Sequence, residues 1–281
     1  MAEIRLGLIV SLRANPSEEL KKVYMYNFPT CQVSCWDVNL YNNEIARSLK
    51  NSASEYGIEI TAVWAGLPGK YVWNFIDGPS TIGLVPPETR AIRIKALKKA
   101  SDFTKEVGVE DIATHVGFIP ENPKDPVYNS LIDVLRDVAK FCAKNGQFFL
   151  FETGQETPIT LLRTIEDVGA ENLGVNFDPA NLLMYGKANP VDALDILGRF
   201  VRGVHAKDGD YPTNGRELGK EKPLGEGRVN FPALISKLRA LDYTGAITIE
   251  REISGPQQTR DILRAKELLE NLLKQEPSSS C

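Results

Sequence analysis

Short runs of β-branched and aromatic residues alternate along this chain with longer segments of helical periodicity. The strand-like runs span residues 5–12, 30–37, 58–66, 111–118, 148–154, 173–178, 201–208 and 245–252, eight in all. The stretch Phe148-Phe149-Leu150-Phe151 has no polar face, which is the pattern of a parallel strand covered on both sides. Between the runs, Leu131, Leu135, Val138, Ala139 and Cys142 recur at helical spacing. Phe231, Leu234, Ile235, Leu238 and Leu241 repeat it, as do Ile262, Leu263, Leu268, Leu269, Leu272 and Leu273. Thr157-Pro158 and Asn189-Pro190 each read as an N-cap followed by proline at the first helical position, where the missing N–H costs nothing. Residues 17–28 and 192–198 carry fainter helical patterns.

Eight strands each followed by a helix, with no break in composition, predict an α/β fold: a single (β/α)8 TIM barrel over residues 1–274 with its helices outside. An open doubly wound sheet would need a glycine fingerprint for phosphate or dinucleotide, and there is none. The serine-rich end, residues 275–281, reads as a disordered tail. Two connections are too long for plain strand-to-helix loops. Residues 66–87 hold Tyr71, Trp73 and Phe75 among glycines and prolines, and residues 208–228 hold five glycines and many charges. Both follow strand C-terminal ends, the rim where barrel enzymes keep their chemistry. The aromatic one reads as a substrate lid or an oligomer contact.

Composition narrows the function. Lys plus Arg number 33 against 37 Asp plus Glu, a net charge of −4, which leaves no footprint for nucleic acid or an anionic membrane. Cys31, Cys35, Cys142 and Cys281 lack Cys-x-x-Cys spacing and are too scattered for a disulfide scaffold. With no signal-peptide pattern and no membrane-length apolar run, the expected location is the cytoplasm. The chain has only two histidines, His115 and His205, so a centre built from three imidazoles is excluded.

The ends of strands five to eight carry the unusual polar residues: Glu152, Asp178, His205 and Glu250. In a barrel these ends are neighbours on one rim. Three carboxylates meeting there would repel one another unless a divalent cation supplied the opposite charge. An oxygen-rich set with one nitrogen suits Mn²⁺ first, with Mg²⁺, Co²⁺ or Zn²⁺ as alternatives. His115, ending strand four, either orients Glu152, contacts substrate or bonds the barrel wall. Trp36 and Trp64 end strands two and three on the other side of the mouth, as packing or as the ring-lined face of a carbohydrate pocket. Asn181 and Lys207 are placed to bond substrate oxygens, with an ion pair to Asp208 as the alternative for Lys207. Arg216, Lys220, Lys222 and Arg228 on the glycine-rich connection read as anion-binding or solvated.

Phe151-Glu152-Thr153, Phe177-Asp178-Pro179-Ala180-Asn181, Val204-His205-Ala206-Lys207-Asp208, Thr248-Ile249-Glu250 and the Pro223–Phe231 segment Pro223-Leu224-Gly225-Glu226-Gly227-Arg228-Val229-Asn230-Phe231 together resemble the xylose-isomerase-like TIM-barrel superfamily of sugar isomerases and epimerases. The resemblance implies that Glu152, Asp178, His205 and Glu250 ligate one metal. It also implies that Glu152 and Glu250 are a catalytic acid/base pair working through an enediolate on a small sugar, keto-sugar or cyclitol. Homodimers or homotetramers are common among such relatives. The ketohexose 3-epimerases of this kind place a His where this chain has Asn181, an Arg at Tyr211 and a Glu at Pro158, so ketohexose specificity is not carried over. A lyase or dehydratase on a keto-sugar or keto-inositol would use the same metal site. An apurinic-endonuclease-like hydrolase would need further histidines, and a non-catalytic sugar-binding barrel has no use for three converging carboxylates.

Overall fold

The computed structural model describes residues 3–275; residues 276–281, most of the expected tail and with it Cys281, lie outside the described residues. Eight parallel strands close into a barrel: β1 (Arg5–Ser11), β2 (Thr30–Cys35), β3 (Glu59–Ala65), β4 (Asp111–Thr114), β5 (Phe148–Glu152), β6 (Leu173–Phe177), β7 (Val201–Ala206) and β8 (Ala246–Ile249). Each pairs with its neighbour in chain order, and β8 returns to β1 with Leu8 opposite Ile249. Every strand is present where the hydrophobic runs predict it, but all eight stop short at the C-terminal end. Asp178, for example, is no longer strand but the N-cap of helix Pro179–Met184.

The helices bury the faces their spacing predicts. All five periodic residues of helix Pro126–Lys144 are buried. Thr157 and Asn189 accept from the N–H groups of Thr160 and Val191 and so cap helices Pro158–Val168 and Pro190–Leu197. The fainter patterns also form helices, Pro16–Met25 and Pro190–Leu197. Leu241 and Leu263 depart from expectation, at 39% and 43% exposed. Helix Phe231–Ala240 ends one residue before Leu241, so the stripe no longer aims it inward.

The aromatic connection is anchored from below. Arg93, fully buried on helix Pro87–Val107, donates to the carbonyls of Pro68 (3.0 Å), Gly83 (2.7 Å), Lys70 (3.2 Å) and Thr81 (2.7 Å). Its guanidinium lies 4.8 Å from the centre of the Tyr71 ring. Where this connection crosses the segment after β4, Gly83 and Gly117 both adopt positive φ (72° and 105°). A side chain at either would strike the backbone of the other segment. The crossing sets the aromatic segment beside His115.

The second connection is pinned by Asp208. Its carboxylate accepts from the backbone N–H groups of Gly209, Gly225, Gly227 and Val229. Asp208–Gly209 also pairs antiparallel with Glu221–Lys222. Asp208 is thus spent on its own loop, and the Lys207–Asp208 ion pair, the alternative to a substrate contact, does not form. Lys222 and Arg228 pair with Asp210 at 3.4 and 3.6 Å. Among the described residues, no helix is long and apolar enough to cross a membrane.

Candidate active site

Glu152 closes β5, His205 lies within β7, and Asp178 and Glu250 are the first residues past β6 and β8. One donor atom from each lies within 4.8 Å of the others. His205 Nδ1 is the hub, 3.1 Å from Glu250 Oε2, 3.4 Å from Glu152 Oε1 and 3.8 Å from Asp178 Oδ2. Local chemistry aims each group. Thr153 Oγ1 donates to the Asp178 carbonyl (2.9 Å) and accepts from its N–H (2.8 Å). Asp178 Oδ1 then caps the following helix by accepting from Asn181 N–H at 2.8 Å. That leaves Oδ2 turned into the cluster.

Asp178 Oδ2, Glu250 Oε2 and His205 Nδ1 are buried and have no hydrogen-bond partner. Leaving such atoms unmet is costly, so three of them around one point fit a bound cation. The donor set, three carboxylates and one imidazole nitrogen, suits a divalent metal. The site's own positive charges partly balance the acids. Burial pushes the Glu250 carboxyl up, but the Lys207 ammonium and the His205 ring outweigh it and hold the group well below the usual carboxylate range. Burial likewise opposes ionisation of Glu152, and His115 and His205 outweigh it.

Lys207 is buried, with Nζ 2.9 Å from Glu252, 3.3 Å from Glu250 and 3.6 Å from Asp178. It also donates to Asn181 Oδ1 at 3.4 Å, and Asn181 Nδ2 donates to Glu152 Oε1 at 3.4 Å. Both residues therefore bind the carboxylates to one another. Glu252 was not singled out from the sequence; its spacing of two from Glu250 was the available signal.

The tryptophans divide. Trp64 is buried and donates from Nε1 to Glu152 Oε2, so it is not across the mouth from the acids but in contact with one. Trp36 is 49% exposed and packs 5.1 Å from Trp64 at a tilt and 5.1 Å from Tyr71 edge to face, with Trp73 next to Tyr71 at 5.5 Å. Trp73 also meets the His115 ring at 5.4 Å. His115 Nε2 is 3.6 Å from Glu152 Oε1, and its Nδ1 has no partner. A cavity of about 260 Å³ opens among Trp36, Trp64, Trp73, His115, Glu152 and Glu250. Rings and acids line it together, with Trp64 and His115 against Glu152. A larger cleft of about 490 Å³, between Lys187, Tyr211, Arg228 and Asn230, touches none of the four clustered residues.

Beneath the cluster, inside the barrel, Gln32 of β2 and Asn176 of β6 contact the far nitrogen of His205. Neither was anticipated. A glutamine in the middle of a buried strand was the one visible sign.

The family described as a xylose isomerase-like TIM barrel matches residues 20–273. The crystal structure of a xylose isomerase domain protein from Planctomyces limnophilus is 37% identical, covering 97% of this chain and 98% of that one, with a TM-score of 0.92. That of a D-tagatose 3-epimerase-like protein is 21% identical over 96% of this chain and 97% of that one, with a TM-score of 0.75. An uncharacterised protein of Methanocaldococcus jannaschii is 23% identical over 94% of this chain and 87% of its own length.

Proposed function

This chain belongs to the xylose isomerase-like TIM barrel family, and from that membership we propose that it is a divalent-metal-dependent isomerase or epimerase of a small sugar, keto-sugar or cyclitol. The observation that carries the reading is the convergence of four donors from β5 to β8, three of them with an unpartnered buried atom. Glu152, Asp178, His205 and Glu250 would hold the metal, with Mn²⁺ the best match to the donor set. A bound divalent cation supplies Lewis-acid polarisation of adjacent substrate oxygens.

The protein's own residues do the rest. Glu152 and Glu250 both face the cavity. One takes the proton from the carbon between a carbonyl and a hydroxyl group, and the other returns a proton to the resulting enediolate. Return to the same carbon inverts it, and return to its neighbour moves the carbonyl. Trp64 and Asn181 hold Glu152 in place, and Lys207 keeps Glu250 ionised and ready to accept. The rings of Trp36, Tyr71 and Trp73 offer an apolar surface to the C–H face of a sugar and screen the acids from water.

The test is to strip the protein with chelator, reload it separately with Mn²⁺, Mg²⁺, Co²⁺ and Zn²⁺, and incubate each form with a panel of ketoses and inososes in D2O. Metal-dependent gain of one deuterium in a product of unchanged skeleton is the expected result. Loss of water would instead assign the dehydratase reaction. Turnover undiminished in chelator would overturn the proposal.

A further inference from the structure

We infer that Gln32 and Asn176 are positioning residues for His205: their amide pair holds a proton on Nε2, so that Nδ1 presents its lone pair to the metal. The inference rests on the metal site proposed above and concerns what aims its one nitrogen ligand.

Gln32, Asn176 and His205 come from β2, β6 and β7 and meet in the barrel interior, with exposures of 1%, 0% and 0%. Gln32 Nε2 donates to Asn176 Oδ1 at 3.0 Å. The remaining amide atoms both face His205 Nε2, Gln32 Oε1 at 2.8 Å and Asn176 Nδ2 at 2.9 Å. Exchanging nitrogen and oxygen in both amides preserves the arrangement, because Nε2 still meets one oxygen and one nitrogen. In either assignment Nε2 meets one acceptor and one donor; with Nδ1 given to a metal the ring proton sits on Nε2, and the amide oxygen is in place to accept it.

Burying two amides is unfavourable unless they are hydrogen-bonded, and here they bond each other and the imidazole. Room for them is also made deliberately. Gly203 lies two residues before His205 on β7 and so shares its face. A Cβ there would come within 2.5 Å of Asn176 Oδ1 and 3.1 Å of Gln32 Nε2. The missing side chain leaves space for the amide pair. A metal-bound imidazole whose other N–H is held by a fixed acceptor keeps one tautomer and one ring orientation. Here that leaves Nδ1 bare and facing Glu250, Glu152 and Asp178.

The chain's two histidines make the direct test simple. Protein labelled with ¹⁵N-histidine is loaded with diamagnetic Zn²⁺, and long-range ¹H–¹⁵N spectra report which ring nitrogen of His205 carries the proton. The expected result is a protonated Nε2 and a metal-bound Nδ1; a metal-bound or proton-free Nε2 overturns the inference. In parallel, calorimetric titration of Mn²⁺ into metal-free protein should show Gln32→Leu binding about 10–100-fold more weakly than wild type. Gln32→Glu, which keeps an acceptor, should stay close to wild type. Gln32→Leu binding as tightly as wild type, or both variants weakening alike, would overturn it. The spectra of the wild type decide the matter even where a variant folds poorly. Failure of wild type to take up Zn²⁺ would overturn the metal site itself, whereas Zn²⁺ bound through Nε2 overturns this inference alone.

Discussion

Trp64 Nε1 donates a hydrogen bond to Glu152 Oε2, tying β3 to β5 across the intervening β4 at the barrel mouth. The ring-lined wall and the carboxylate cluster are thereby one unit. Trp64→Phe keeps the ring and deletes the donor. Hydrogen bonds to charged groups are worth about 1.5–3 kcal/mol, so kcat is expected to fall roughly 10–100-fold with little change in KM. Steady-state kinetics on the identified substrate checks this, and an unchanged kcat would show the bond to be idle.

Glu250→Gln removes a carboxylate from both proposed roles, ligand and proton carrier. Turnover should fall by a factor of about 10² to 10⁴ while the far-UV spectrum stays that of wild type. A variant with wild-type turnover would remove Glu250 from the chemistry.

Lys207 lies 3.3 Å from Glu250 Oε2 and helps hold that carboxyl ionised against burial. In Lys207→Met the Glu250 pKa rises, because burial still opposes ionisation and the ammonium no longer offsets it. The ionised form is the base, so the acidic limb of the kcat/KM profile should move to higher pH. A profile that does not move would mean that His205 and the metal alone set the ionisation.

Arg93 satisfies four backbone carbonyls of the aromatic connection without a carboxylate partner. Arg93→Met leaves those oxygens unmet at a cost on the order of 3 kcal/mol or more. The expected fall in Tm is roughly 6–12 °C. KM should rise as Tyr71 and Trp73 lose their footing. Lysine, a single ammonium with three donors, should restore only part of the loss; full rescue by Arg93→Lys would show that charge, not the fork geometry, anchors the segment.

Burial pushes the Glu156 carboxyl from its ordinary 4.5 up to about 8. The folded protein then keeps the proton at neutral pH while the unfolded chain releases it. Glu156 therefore costs nothing below about pH 4.5, and stability is lost progressively as pH rises toward 8. Glu156→Gln should gain a few kcal/mol near pH 7.5 and flatten the pH dependence, read from urea unfolding at a series of pH values. A wild-type slope in the variant would locate the pH dependence elsewhere.

Much of this was legible before any coordinates. The eight apolar runs located all eight strands, because strand and helix periods are local properties of the chain. The acids and imidazole ending four consecutive runs placed Glu152, Asp178, His205 and Glu250 on one rim, since barrel closure makes successive strand ends neighbours. What local pattern could not supply was the partner of each side chain. Lys207 reads as a substrate contact or as a mate for Asp208, yet Asp208 turns to its own glycine loop and Lys207 to Glu250 and Glu252. Trp64 reads as opposite the acids and instead bonds one of them. Gln32 meets His205 across 173 positions of sequence. Such pairs depend on how strands are staggered around the closed barrel and on which interior face each residue takes. That stagger comes from the simultaneous packing of all eight strands, so sequence alone could name the four clustered residues while only the closed barrel could decide what each of them touches.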